Sequence, residues 1–368
     1  MSYFHLNLIL KGKLTVCCLL MLPAIPLNAQ REAKQIGDFK ESISLNEHLR
    51  GTKRTLQYRP DGDEFVCVNG KNRYTRALYG SHSPFRVETS DRPVFAFYNN
   101  GRGGNISFKV ILRDGTELAL DCTGHCESRY SAGKRTYYLT DPSWGKGELR
   151  ISVLALADMD GAIWRFSPSN MPKGAILRWQ HGGATGKRLS RNGDMGVDPA
   201  DCFELPVEAT DLVTGELPLQ KEVYLVRGEV PEGYNVRKLY QQAEAASLAL
   251  ASHLKIETPD PYLNTLGGAL VAAADGIWDG QVWLHGAIGW RMPLSGWRAG
   301  YTGDALGWHD RARTHFDAYA ASQVTDVPNT IPHPAQDSTM NLARSEKRWG
   351  TPQYSNCLLY TSDAADEL

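Results

Sequence analysis

Glu148-Leu-Arg-Ile-Ser-Val-Leu-Ala155 decides the fold class. Leu149, Ile151 and Val153 recur at every second position, which puts them on one face of an extended strand. The same period runs through Ile106, Phe108, Val110 and Leu112, with Ser107, Lys109 and Ile111 between them. Asp114-Gly115 then turns the chain into Leu118-Ala-Leu120. Upstream, Phe65-Val-Cys-Val68 leads into Asn69-Gly70, which reads as a hairpin turn. Further strands are predicted at 162–166, 175–180 and 222–227. Many short strands punctuated by Gly, Pro, Asn and Asp predict a large antiparallel β-sandwich over residues 36–230.

Beyond it the period changes. Val236, Leu239, Tyr240, Ala243, Ala246 and Leu250 recur at helical spacing, which predicts an amphipathic helix over 235–254 inside a linker of residues 231–258. Glu257-Thr-Pro-Asp-Pro-Tyr262 is a proline-marked junction. Leu263, Leu266, Leu270, Ala274 and Ile277 predict a second helix over 262–278. A third is expected from about Asp304 to Gln323, with Trp308, Ala312, His315 and Tyr319 on one side. Residues 279–303 are left as a long connection, a length that in compact domains often carries function.

The 368 residues are 42% hydrophobic and 22% charged, the composition of a soluble protein of two or more domains. A formal net charge of -1 offers no basic surface for a phosphate backbone, so nucleic acid is excluded as a general partner. At the N-terminus, Lys11 and Lys13 precede the apolar run Leu14–Leu22, then Pro23 and a small residue at Ala29. That order predicts an export signal over residues 1–29 and a periplasmic or extracellular protein. No later segment is long and apolar enough to insert in a membrane. Cys122-Thr-Gly-His-Cys126 is read as buried or singly bridged cysteines beside a turn. A zinc site would call for paired cysteine motifs or a distant histidine pair. No metal or cofactor is predicted. At the other end, Cys357 to Glu367 resembles a translated sequencing adapter. Residues 357–368 are therefore set aside as a foreign tail, and the natural protein is expected to run on.

Five of the nine tryptophans fall in one stretch: Trp278, Trp283, Trp290, Trp297 and Trp308. His285, Arg291, Arg298, Tyr301, Asp304, His309 and Asp310 are interleaved with them. A loop can bury one or two indoles as plugs. Five beside so many polar groups predict a concave mixed surface, where sugar C–H faces pack on rings and polar groups bond hydroxyls. Trp283, His285, Trp290, Arg291, Trp297, Arg298, Tyr301 and Trp308 are the candidate substrate contacts. Packing is the alternative for the histidines, and bracing of the loop for the two arginines.

Glycosidic hydrolysis needs two carboxyl groups, one protonated and one ionised. Of Asp275, Asp279, Asp304 and Asp310, the candidates are Asp304 and Asp275. Asp304 is expected to open a helix, whose N-terminus favours the ionised form; its alternative role is an N-cap. Asp275 is expected near a helix C-terminus, where the field raises its pKa; its alternative is a solvent-facing helix residue.

Asn72-Arg-Tyr-Thr-Arg-Ala-Leu-Tyr-Gly80, Phe85-Arg-Val-Glu88, Ser90-Asp-Arg-Pro-Val-Phe95 and Gly101-Arg-Gly-Gly-Asn105 resemble a family of exported bacterial proteins of polysaccharide-utilisation systems, domain of unknown function four-four-five-zero. Val282-Trp-Leu-His-Gly-Ala-Ile-Gly-Trp-Arg291, with Gly296-Trp-Arg298, Tyr301 and Gly307-Trp308, is similar to the opening of a six-hairpin glycosidase barrel. The resemblance covers roughly residues 55–325. It implies a β-supersandwich, a linker helix and an (α/α)6 toroid, of which residues 259–356 would supply only the first part. It also implies a carbohydrate substrate and hydrolysis by a carboxylic acid and a carboxylate. With so few barrel helices, the chain as it stands is expected to be inactive, with at least one catalytic carboxylate beyond it. Two other activities stay open: a non-catalytic carbohydrate-binding protein, and a polysaccharide lyase using Tyr301 or His285 beside Arg298. Nothing in the sequence fixes the oligomeric state.

Overall fold

The computed structural model describes residues 57–71, 74–83, 85–99, 102–182, 212–284 and 296–321. All the described residues except Gln57 belong to one compact unit. The export signal and the C-terminal tail lie outside the described residues, as do Cys202 and Cys357.

The architecture is mostly antiparallel β-structure with few helices. One seven-stranded sheet has, in spatial order, β1 (Arg59–Asp61), β2 (Glu64–Val68), β8 (His125–Ser131), β9 (Lys134–Thr140), β10 (Glu148–Ala155), β11 (Gly161–Ser169) and β14 (Val223–Gly228). The other runs β13 (Val213–Pro218), β12 (Ile176–Gly182), β6 (Arg102–Ile111), β5 (Phe95–Asn99), β4 (Arg86–Ser90) and β3 (Tyr74–Leu78). In it β7 (Glu117–Ala119) also pairs with β6. The turn at Asp114-Gly115 forms as expected: Gly115 has φ 89°, and the Asp114 carboxylate accepts from Thr116 N at 2.9 Å.

The sheets face each other across one apolar core. Leu149, Ile151 and Val153 are fully buried, as their alternation predicts, and so are Ile106, Phe108 and Val110. Phe95 of one sheet meets Tyr137 and Trp164 of the other edge-on, with centroids 5.7 and 5.6 Å apart. Phe108 meets Phe166 at 5.1 Å. Edge-to-face pairs set the positive rim of one ring on the negative face of the next.

Asn69-Gly70 is not a hairpin. β2 pairs with β1 and β8, whereas β3 pairs with β4 in the other sheet, so the chain crosses between sheets here. Asn69 takes φ 48°, donates its backbone N–H to the Cys126 carbonyl at 2.8 Å, and accepts from Cys126 N on its side chain at 2.9 Å. Cys122 and Cys126 are both thiols, the first exposed and the second buried. Burial pushes the Cys126 thiol up to about 12.

The first helix, α1 (Val236–Ala251), is capped by Asn235, whose side chain accepts from Lys238 N. It lays Leu239, Tyr240 and Ala243 on Leu154, Leu156 and Ile163, the outward residues of β10 and β11 and their connection. That second cover buries the end of β10 on both faces. Next, α2 (Pro261–Gly276) is capped by Asp260, and its Thr265 hydroxyl donates to the Gly62 carbonyl at 2.9 Å.

After α2 the chain folds straight back. Asp279 accepts from Gln281 N and Val282 N, Leu284 N donates to the Ile277 carbonyl, and Trp278 bridges Trp283. The last two helices are α3 (Gly296–Ala305) and α4 (His309–Ala321). The expected connection 279–303 is thus helical in its last part, and the expected helix from Asp304 is broken at Leu306-Gly307-Trp308. On α4, Ala312 and His315 share a buried face as predicted. No helix among the described residues is long and apolar enough to cross a membrane.

Candidate functional site

Asp275, in the last turn of α2, points inward rather than to solvent. Its carboxylate accepts from Arg311 Nη1 on α4 at 2.7 Å and from His82 Nε2 at 3.2 Å. His82 follows β3, so this one oxygen ties the second sheet, α2 and α4 together. Burial by itself raises the pKa of a carboxyl. Here the hydrogen bonds and charges of His82 and Arg311 outweigh it and hold Asp275 below the usual carboxylate range. The expectation of a raised pKa is corrected: the contacts with His82 and Arg311 outweigh burial.

Arg311 is the hub of the arrangement. Its guanidinium lies 4.5 Å from the Trp308 ring centroid and 5.7 Å from that of Trp278. His253 meets the other side of this group, 5.7 Å from Trp308. Trp308 and Arg311 are both half-buried, so part of an aromatic and cationic surface remains open to water here; Tyr301, on α3, is 51% exposed. Asp304 is exposed and pairs with His309 Nδ1 at 3.0 Å. It stands one residue before the end of α3, not at a helix start. The expected stabilisation by a helix N-terminus, and the N-cap alternative, are therefore both absent.

Trp283 is interior filling, at 1% exposure. It packs on Trp278 at 4.7 Å and on His315 at 5.6 Å, donates its backbone N–H to His315 Nδ1 at 3.1 Å, and donates its indole N–H to the Ala274 carbonyl. As placed, it offers no ring face to a sugar. Trp297 and Arg298 fall on α3; of their side chains nothing is described. His285, Trp290 and Arg291 lie outside the described residues.

Two contributors were not singled out from sequence. Arg311 had a usable signal, because it follows Trp308 by three residues and so shares its helix face. His82 had none, because its partner is 193 residues away.

Behind this group, Arg86 is fully buried. It donates to the Gly276 carbonyl at 2.7 Å and lies 4.8 Å from the Tyr79 ring centroid. Its neighbour Glu88 is pushed up to about 7 by burial, against the pull of Arg86. Carboxyls with opposed protonation mark many acid–base pairs. Glu88, however, is 6% exposed and closed to substrate. Among the described residues no group of three His, Cys, Asp or Glu side chains is placed to hold a metal ion.

Residues 100–228 match the family model described as Domain of unknown function (DUF4450). The match takes up where the motifs at 72–95 end and includes Gly101–Asn105. No curated protein matches the chain. Among solved structures, a bacterial glucoamylase in complex with acarbose is similar at 10% identity and a TM-score of 0.43. The similarity covers 70% of this chain and 53% of that one, so the chain spans about half the length of that structure.

Proposed function

We propose that the protein is an exported glycoside hydrolase acting on a complex polysaccharide or its oligosaccharides. The observation that carries this reading is the Trp308–Arg311–Asp275–His82 group, with the exposed Asp304–His309 pair beside Trp308 in the chain. Rings, a guanidinium and carboxylates at one surface suit a sugar, whose hydroxyls and C–H faces alternate around the ring. Asp275, held ionised, is unfit to protonate a leaving oxygen and suits orientation of a hydroxyl or of an attacking water. Asp304 is the accessible carboxylate for the second role. The toroid, of which α2 to α4 would be the opening helices, is part of the same proposal.

A second reading has a specific observation in its favour. Asp275 and Asp304 are each already paired, Asp275 with Arg311 and His82 and Asp304 with His309, which fits a surface that binds glycan without cutting it. The two part in one experiment. The protein, expressed from its full open reading frame, is incubated with a polysaccharide panel while reducing ends, unsaturated-ring absorbance and binding are followed. Hydrolysis predicts reducing ends that vanish in Asp304→Asn. Binding alone predicts retained affinity that falls in Trp308→Ala, with no new ends. Absorbance from unsaturated rings identifies a lyase instead. Neither binding nor product from any glycan sinks the carbohydrate assignment.

A further inference from the structure

We propose that the outward face of the first sheet, where Arg150 of β10 and Arg165 of β11 are neighbours at the rim of α1, is a second ligand site, and that it holds the oxyanion of an acidic polysaccharide, a carboxylate or a sulfate ester. Leu149, Ile151 and Val153 turn into the core, so the two-residue period sends Arg150 and Ser152 outward. On β11, buried Trp164 and Phe166 send Arg165 and Ser167 to the same side. The register sets Arg150 opposite Ser167 and Ser152 opposite Arg165. The two arginines are therefore diagonal neighbours, about 7–8 Å apart at their backbones, a span across which two long side chains can meet on one anion.

The other cations of this face are matched. Arg129 reaches Asp61, Glu64 and Glu127, Lys134 reaches Glu244, and Arg237 reaches Glu222. Among the described residues Arg150 and Arg165 form no ion pair, although exposed Glu148 shares the outward face of β10 with Arg150. Each lies against a ring instead: Arg150 is 5.3 Å from the Tyr138 centroid and Arg165 is 4.4 Å from that of Tyr240. Both are half-buried, and the Nε of each is buried without a hydrogen-bond partner. The charges of both act on one point, the Tyr240 hydroxyl. Two like charges brought together and partly desolvated repel each other, and an anion between them removes that cost. Guanidiniums fixed by rings, with their terminal donors not consumed by a carboxylate, are preorganised forks for an oxyanion.

The occupant is argued from shape as well as charge. Val68, Glu127, Tyr138, Arg150 and Ser167 stand opposite one another across β2, β8, β9, β10 and β11. Four interstrand steps make this row about 19 Å long. Val68 is 52% and Tyr138 38% exposed, while α1 covers the sheet further along, at Leu154 and Ile163. An open row with a pair of cations near one end suits a chain laid across the strands. The anion is argued from this geometry alone; that it is carried on a sugar rests on the reading under Proposed function.

Affinity electrophoresis of the full chain at about 0.15 M salt, through gels holding polygalacturonate, dextran sulfate or neutral dextran, tests the site. Wild type is expected to bind at least one anionic polymer at least tenfold more tightly than dextran, and the polymer preferred tells carboxylate from sulfate ester. Arg150→Gln and Arg165→Gln each lose at least fivefold. The double variant Arg150→Lys, Arg165→Lys keeps both charges but not the forks, and loses several-fold with an unchanged melting temperature. Arg178→Gln, which removes the same charge from the other sheet, binds as wild type does. Equal affinity in wild type and the arginine-pair variants overturns the site, as does dextran bound as tightly as the anionic polymers. A loss in Arg178→Gln as large as in Arg150→Gln also overturns it, because attraction by net charge then suffices. Binding through the pair with no hydrolysis of any polysaccharide sinks the hydrolase reading alone. Hydrolysis with no retardation by either anionic polymer sinks this site alone.

Discussion

Between the sheets, Phe95, Phe108, Trp164 and Phe166 fill the interior with rings that meet edge to face. Where α2 closes on β3 and β4, a second volume holds buried Arg86 and Glu88, half-buried Tyr79 and, at its margin, Asp275. The first region is stabilised by area removed from water, which is indifferent to protonation. The second is held by ionisable groups that water has left, so each charge there needs its partner. A fold built from both should answer shape changes in one place and pH in the other.

The largest effect belongs to the ring cluster. Trp164→Ala deletes a fully buried indole and leaves a cavity among rings that cannot collapse into it. The expected loss is about 3–5 kcal/mol. Urea denaturation should show the same loss at pH 5 and pH 8. A loss that varies with pH would break the contrast.

Glu88→Gln probes the other region. The folded pKa of Glu88 is raised to about 7 from 4.5, so between those values the native state holds a proton that the unfolded chain releases. Stability therefore falls as pH rises through this window. The amide cannot ionise, so Glu88→Gln should be more stable than wild type at pH 8, by no more than about 3 kcal/mol, and nearly equal at pH 4.5. Melting curves at the two pH values check the sign.

Asp275→Asn has the opposite sign. A depressed carboxyl pKa contributes stability that is present above the unfolded value, about 3.9, and is lost as pH falls through the folded one. The substitution should cost about 1.5–3 kcal/mol at pH 7. The lower end is expected, because His82 and Arg311 remain partly in water. The cost should shrink in acid below about pH 4. Opposite pH trends for these two carboxyls are the sharpest form of the comparison.

The same contrast explains what the sequence made legible. Alternation is local, so β10 could be read to its bounds and the central parts of β6 and β11 could be read too, as could the helix of Leu239, Tyr240 and Ala243. Asn69-Gly70 has hairpin composition, yet a positive φ serves a crossing between sheets equally well, and only the pairing partner tells them apart. Gly296 to Ala305 contains Gly296, Gly300 and Gly303, which argue against a helix by propensity. The structure gives two of them a packing reason: a Cβ at Gly300 would run into the Phe316 ring, and one at Gly303 into Trp283. The environment of Asp275 was hidden because one of its partners, His82, comes from the other end of the described chain.

Arg178 supplies the control. On the open face of the second sheet it reaches Glu117 and Glu216, both at 2.9 Å, closer than the Asp275–His82 contact. By distance alone the two groups are comparable, because Arg311 reaches Asp275 at 2.7 Å. All three side chains are more than 40% exposed, so water screens the attraction and competes for every donor. Arg178→Gln should leave the denaturation midpoint within experimental error at 0.15 M salt, with any small loss at low salt vanishing as salt is added. Should it instead cost as much as Asp275→Asn, contact distance rather than desolvation would set the worth of a charged pair in this fold, and the division between ring core and ionic junction would lose its physical basis.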